Sequence, residues 1–337
     1  MYLLRRKVVR CMRYKYKPSI FEVNLLYLVL GILLLTLGAY VQNREVYSGL
    51  LITEYFLILL PSLLFLKIKG TSIKEVLRLN RIGIKQVLLA IGITIFTYPI
   101  AVFFQAIFYA IISLFKEVTP SAVPMPYDGL QYVISFLIIA LSPGICEEVL
   151  FRGVILDSYE HLGYKKSIII SALYFGIFHF NLLNFIGPSI LGIIFGIMVY
   201  KTNSIYSSMI GHTVNNGIAL TIGFLLNKYQ NDIDVIFGSS ESIEVVPISI
   251  VDFIPLLFII LCFFIVKYLI SKLEPYETSS IYADTSIEEI YNYGNLEDII
   301  DSDDILYLSR PTDKIRYLPV VIIIFIFILN NWINLFL

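Results

Sequence analysis

The sequence predicts an all-α fold, a polytopic transmembrane bundle of about eight or nine spans. Three observations predict it. Hydrophobic residues make up 58% of the chain and charged ones 15%, against about 45–50% and about 25% in ordinary soluble domains. Long apolar runs recur through the 337 residues, each near the roughly 20 residues that a helix needs to cross a bilayer. Backbone amides in hydrocarbon must be satisfied within their own segment, so each run is expected to be helical. No length remains for a large soluble domain.

A basic tail over residues 1–20, with Arg5, Arg6, Lys7, Arg10, Arg13, Lys15 and Lys17, comes first. The apolar run that follows, from about Leu25 to Val41, is longer than the 7–15 residues of a signal-peptide core, and no small-x-small cleavage site follows it. It reads as an uncleaved first span. Spans are then expected at 21–41, 49–66, 86–115, 130–147, 166–187, 188–201, 204–227, 250–271 and 318–337, the division between the fifth and sixth being the softest.

Orientation follows from the cations. The tail and the second connection, with Lys67, Lys69, Lys74, Arg78, Arg81 and Lys85, belong in the cytoplasm. The connections at 42–48, 116–128 and 228–249 carry few cations, and the last holds Asp232, Asp234, Glu241 and Glu244, which suits the outer face. The segment 272–317 is acidic and polar, with Glu288, Glu289, Glu297, Asp298, Asp301, Asp303 and Asp304. It reads as a cytoplasmic connector, or as a regulatory or substrate-recruiting insert before the last span. The chain is therefore expected in the cell membrane with its N-terminus in the cytoplasm.

The net charge of −1 says little by itself, because the charges sit in blocks that only topology interprets; no nucleic-acid partner is expected, and the bilayer is the expected surroundings. Cys11, Cys146 and Cys262 have neither disulfide-framework nor zinc-knuckle spacing.

Charged groups inside a span cost at least about 2.5–3.5 kcal/mol on insertion scales, so each one needs a reason. Three clusters stand out: Glu147-Glu148 with Arg152, Phe175 with His179, and His212 with Asn215 and Asn216. Glu148 and Arg152 have the i,i+4 spacing of an ion pair, which by itself would only stabilise a helix end. Glu147 points about 100° away and is left at the membrane boundary with no local cation. Its partner must come from another helix, and His179 and His212 are the candidates; His161 lies in a polar connection and reads as a solvated loop residue. A lone buried histidine is usually a satisfied core residue, but two of them beside a paired-Glu motif and an intramembrane Asn weaken that reading. His212 and Asn216 share a helix face and can donate toward one point. A carboxylate beside an imidazole can activate water, so the clusters together propose a site for amide hydrolysis.

Glu-Glu-x-x-x-Arg, then Phe-x-x-x-His, then His-x-x-x-Asn on successive spans resembles the CAAX prenyl protease 2 family, also called the CPBP or Abi family of intramembrane proteases. The residues are Glu147, Glu148 and Arg152; Phe175 and His179; His212 and Asn216; Gly153 and Ser208 also look like the family. The resemblance covers about residues 129–226. It implies a membrane-embedded endopeptidase in which Glu147 with His179 activates water and His212 with Asn216 stabilises the oxyanion. Glu148 and Arg152 would organise the site, and Phe175 would pack against it. It further implies no cofactor, although Glu147, Glu148, His179 and His212 form a zinc-like N/O set should a metal be used.

The resulting organisation is a tail (1–20), N-terminal spans (21–128), a catalytic core (129–227), an outer loop with its following span (228–271), the acidic segment (272–317) and a terminal span (318–337). The expected substrate is a membrane-associated or lipidated peptide or a small membrane protein, in CAAX-type or bacteriocin-processing or self-immunity chemistry. A silent scaffold or immunity protein binding a partner in the same cavity is the alternative. A proton-coupled transporter is disfavoured because no motif repeats in two halves.

Overall fold

The computed structural model describes residues 18–116, 125–229, 254–276 and 315–336. The basic tail up to Lys17, Cys11, most of the acidic outer loop and the acidic stretch 277–314 lie outside the described residues. Among the described residues every regular element is helical. Eight helices are long and apolar enough to cross a membrane.

The first two are α1 (Ile20–Arg44) and α2 (Val46–Ile68). A capping box starts α1: the Ser19 hydroxyl accepts from the Glu22 amide while the Glu22 carboxylate takes the Ser19 N–H at 2.9 Å. Glu45 separates the two helices and caps α2 by accepting from the amides of Tyr47 and Ser48 at 2.9 and 2.7 Å. The Ser48 hydroxyl together with those two amides holds its exposed carboxyl below the usual carboxylate range. A single helical turn, Ile73–Val76, precedes α3 (Ile84–Ser113).

The fourth helix, α4 (Gly129–Leu162), corrects the sequence reading. It does not stop at 147. From Glu147 it runs on to Leu162, about 22 Å at 1.5 Å per residue, so the paired glutamates lie within the helix and away from its end. Glu148 and Arg152 pair with each other at that point inside the bundle, and Leu150, Phe151, Val154, Ile155 and Leu156 around them are fully buried. Two π-helical stretches, Phe136–Leu141 and Val149–Ile155, flank the glutamates.

The next helices also divide differently from the expected 166–187 and 188–201. α5 (Tyr164–Ile177) spans only about 21 Å, and α6 (Ile186–Thr202) runs back beside it. Between them Phe180 adopts φ 48°. The Asn181 side chain then caps a 3-10 turn, Leu182–Asn184. The hairpin closes tightly because Gly192 faces α5: a Cβ there would lie 2.8 Å from the Ala172 Cα. α7 (Ile205–Lys228), α8 (Ile254–Ser271) and α9 (Leu318–Phe336) complete the bundle.

Polar contacts at one end tie together helix termini that are far apart in sequence. Asn80 donates to the Asn203 carbonyl at 2.6 Å, Gln86 to that of Glu274 at 3.2 Å and Asn24 to that of Arg316 at 2.8 Å. Arg78 meets Glu160 at 2.8 Å and stacks on Tyr200. Burial opposes the Arg78 charge, but Glu160, Tyr200 and Asp157 outweigh it and raise its pKa. At the opposite end Tyr47 bonds Ser135 at 2.8 Å. The outward faces of α3, α8 and α9 carry exposed Leu88, Phe104, Leu257, Phe263, Phe325 and Ile328, the surface of a protein solvated by lipid.

Candidate active site

The three clusters converge where α4, α5 and α7 meet. Glu148 is completely buried, and its Oε1 receives both Arg152 Nη1 at 2.8 Å and His212 Nδ1 at 2.9 Å. A carboxylate oxygen accepts, so Nδ1 of His212 is the protonated nitrogen and only Nε2 is left to face other groups. Arg152 has no acceptor for its remaining buried N–H groups; its guanidinium lies over the rings of Phe175 at 4.5 Å and Phe195 at 5.4 Å. Ring faces take the place of acceptors here, an interaction worth about 2 kcal/mol when desolvated. Ser208 lies beside Glu148, its hydroxyl donating to the Ile205 carbonyl at 2.9 Å.

Glu147 stands apart from this cluster. Its side chain keeps 13% of its surface accessible, and its Oε2 lies 3.8 Å from His212 Nε2. That separation exceeds hydrogen-bond length, yet a single water with two legs of about 2.8 Å can touch both atoms. His179 sits across the Phe175 ring, which meets its imidazole edge-on at 5.2 Å and that of His212 at 5.4 Å. Nδ1 of His179 donates to the Phe175 carbonyl at 2.9 Å, leaving Nε2 as its reactive nitrogen. Asn216 donates one amide hydrogen to the Ile139 carbonyl at 3.2 Å and accepts at Oδ1 from Asn215 at 3.0 Å, so one donor hydrogen stays uncommitted. The Ile139 carbonyl belongs to the first π-helical stretch of α4, where the ladder is displaced. His161 is exposed and bonds within its own turn.

The structure thus brings Glu147 nearest to His212, with His179 reached through Phe175. It also adds residues that the sequence reading missed. Glu54, on the π-helical stretch Ile52–Leu59 of α2, is 4% exposed, has an unpartnered Oε2 and lies within the field of Glu147 and Cys146. The signal was present: a carboxylate inside an apolar run. Phe195 stacks on His212 at 5.6 Å as well as on Arg152, but one more Phe in an apolar run carries no such signal.

The N/O set suggested for a metal is not assembled. Among the described residues no three His, Cys, Asp or Glu side chains converge as a metal would require. Along α7, next to Asn216, an open apolar groove of about 340 Å³ is lined by Phe136, Val214, Gly217, Ile218, Thr221 and Ile222.

Residues 129–218 match the family model described as "Type II CAAX prenyl endopeptidase Rce1-like". That segment holds Glu147, Glu148, Arg152, Phe175, His179, His212 and Asn216 and covers just over a quarter of the chain. No curated protein and no solved structure matches the chain.

Proposed function

We infer, from the match of residues 129–218 to the Type II CAAX prenyl endopeptidase family, that the chain hydrolyses peptide bonds inside the membrane with a water activated by Glu147. The observation that carries this reading is the commitment of His212 Nδ1 to Glu148, which leaves Nε2 facing Glu147 across 3.8 Å.

Glu147 takes a proton from the attacking water as the new C–O bond forms, and His179, through Nε2, supports that transfer. The carbonyl oxygen becomes an oxyanion beside His212 Nε2 and the uncommitted amide hydrogen of Asn216. His212 serves the oxyanion only with a hydrogen on Nε2 in addition to the one that Nδ1 gives to Glu148. Collapse breaks the C–N bond, and Glu147 returns its proton to the departing amine. Glu148 and Arg152 touch no reacting atom and hold His212 in place. The groove beside Asn216 suits the apolar or lipid chain of a membrane-associated peptide. CAAX-type processing and bacteriocin maturation or self-immunity both fall within that substrate class.

The cell membrane is the compartment proposed, with the end bearing Lys67, Lys69, Lys74, Arg81, Lys165, Lys166 and Lys201 in the cytoplasm; the opposite end carries only Arg44, Lys116 and Lys228 among the described cations. This orientation places the N-terminus in the cytoplasm too.

The test is incubation of the purified full chain in lipid nanodiscs with a panel of lipidated and unlipidated peptides, the products being identified by mass. Internal cleavage, faster for the lipidated members, is the expected result. Tight binding of peptides with no cleavage of any, native membrane peptides included, would overturn the reading in favour of a silent scaffold.

A further inference from the structure

We propose that the last span is part of the catalytic unit and that Asn331 on α9 is a positioning residue for His179. The proposal rests on the proteolytic reading of the site and adds to it a residue far outside the matched segment 129–218.

His179 lies just beyond α5, where the chain leaves helical geometry. Phe180 sits at φ 48°, and residues 178–185 form an irregular turn in which Phe178 and Phe180 are buried. Non-helical backbone at membrane depth is tolerated only where protein groups satisfy its amides and carbonyls. Asn181 and the local backbone satisfy some of them, and the rest come from outside the hairpin. Asn331 accepts from the Leu182 N–H at 2.6 Å and donates toward the Phe180 carbonyl at 3.3 Å. Asn330 donates to the same carbonyl at 3.0 Å. On the far side of the turn Gln105 of α3 accepts from the Gly187 N–H at 2.7 Å.

Asn331 is itself fixed. It is 6% exposed, and its amide also bonds the Phe327 carbonyl one helical turn earlier at 2.8 Å. Below it α1, α9 and the turn leave no spare volume: a Cβ on Gly31 would lie 3.0 Å from Phe180 Cζ and would strike the Ile323 side chain.

The consequence for His179 is direct. Its ring is held at Nδ1 by Phe175, on the helix before it, while its backbone is held from behind by the Phe180 carbonyl and the Leu182 amide. Removing Asn331 frees the Leu182 donor and weakens the hold on Phe180. The turn then shifts, and His179 Nε2 shifts with it. A displacement of about 1 Å at a reacting group costs roughly 100-fold in rate.

The experiment compares the full chain in nanodiscs with Asn331→Leu, Asn331→Asp and Asn330→Leu, with Asn334→Leu, on the exposed face of α9, as control. It reads kcat, KM, the His179 imidazole ¹⁵N resonances and amide exchange at Leu182. Asn331→Leu should lower kcat roughly 100-fold with KM unchanged, move the His179 resonances and speed exchange at Leu182. Asn331→Asp keeps the acceptor for Leu182 and should recover part of kcat, while Asn334→Leu changes nothing. Should Asn331→Leu fail to fold, Asn331→Asp and Asn330→Leu carry the same readouts. Wild-type kcat with unmoved His179 resonances in the folded variants overturns the proposal. If the wild-type chain cleaves no peptide, the proteolytic reading fails, and the resonances and amide exchange still decide whether Asn331 positions His179.

Discussion

On one face of α4 Glu148 is sealed, with Arg152 and His212 sharing one of its oxygens; on the next face Glu147 keeps some of its surface accessible and lies beyond hydrogen-bond length from His212. Adjacent carboxylates on one helix thus live in opposite surroundings, and the proposed function assigns them different work accordingly. A carboxylate whose charge is consumed by two buried partners can fix an imidazole but cannot take up a water's proton. A carboxylate left partly free can do so, provided that its neighbour fixes the imidazole. In the proposed function the sealed region supplies geometry and the open region supplies reactivity.

Substitution on the sealed side should disrupt the fold first. Arg152→Met leaves Glu148 buried without its cation, which should cost about 3–5 kcal/mol and appear as a large fall in the unfolding temperature in detergent. The double change Glu148→Leu/Arg152→Met should recover much of that stability and none of the activity, since His212 loses its anchor. Recovery of activity by the double variant would mean that the sealed carboxylate is dispensable and the division of labour is wrong.

On the open side the expected loss is in rate rather than stability. Asn216→Leu should lower kcat by roughly 10²–10³-fold, the usual effect of removing an oxyanion donor, with only a small fall in unfolding temperature from the lost bond to the Ile139 carbonyl. A change confined to KM would instead place Asn216 in substrate binding. Phe175 borders both regions, touching Arg152, His179 and His212. Phe175→Leu should therefore cost about 0.5–1.5 kcal/mol for each aromatic pairing it removes, read as a modest drop in both unfolding temperature and kcat. The smallest effect expected is that of a chelator, which should leave the cleavage rate unchanged because the N/O donors do not converge. Inactivation reversed by zinc would instead make Glu147 a ligand and redraw the open region as a metal site.

Much of this was legible in the sequence, and the failures have identifiable causes. Apolar run length located the spans because the bilayer imposes its thickness on every helix. Hydropathy missed the continuation of α4 past Glu147, since it counts charges and is blind to the pairing of Glu148 with Arg152 one turn on and with His212 across the bundle. The turn after His179 lay hidden in a continuous apolar stretch, although Asn181 and Asn184 are turn-forming residues within it. Which of the two candidate histidines lies nearer to Glu147 depends on where α5 stops, a tertiary fact. Asn330 and Asn331 stood in the last apolar run as polar residues without a stated purpose; only the fold shows that they face the turn behind His179.

The division of labour on α4 requires that Glu147 do chemistry that Glu148 cannot. Its sharpest test is the cleavage rate of Glu147→Gln in nanodiscs, with the amount of folded protein matched to wild type. A native unfolding temperature and a rate lower by about 10²–10⁴-fold, the range of a lost general base, are expected. Glu147→Gln cleaving at the wild-type rate would rule out Glu147 as the base.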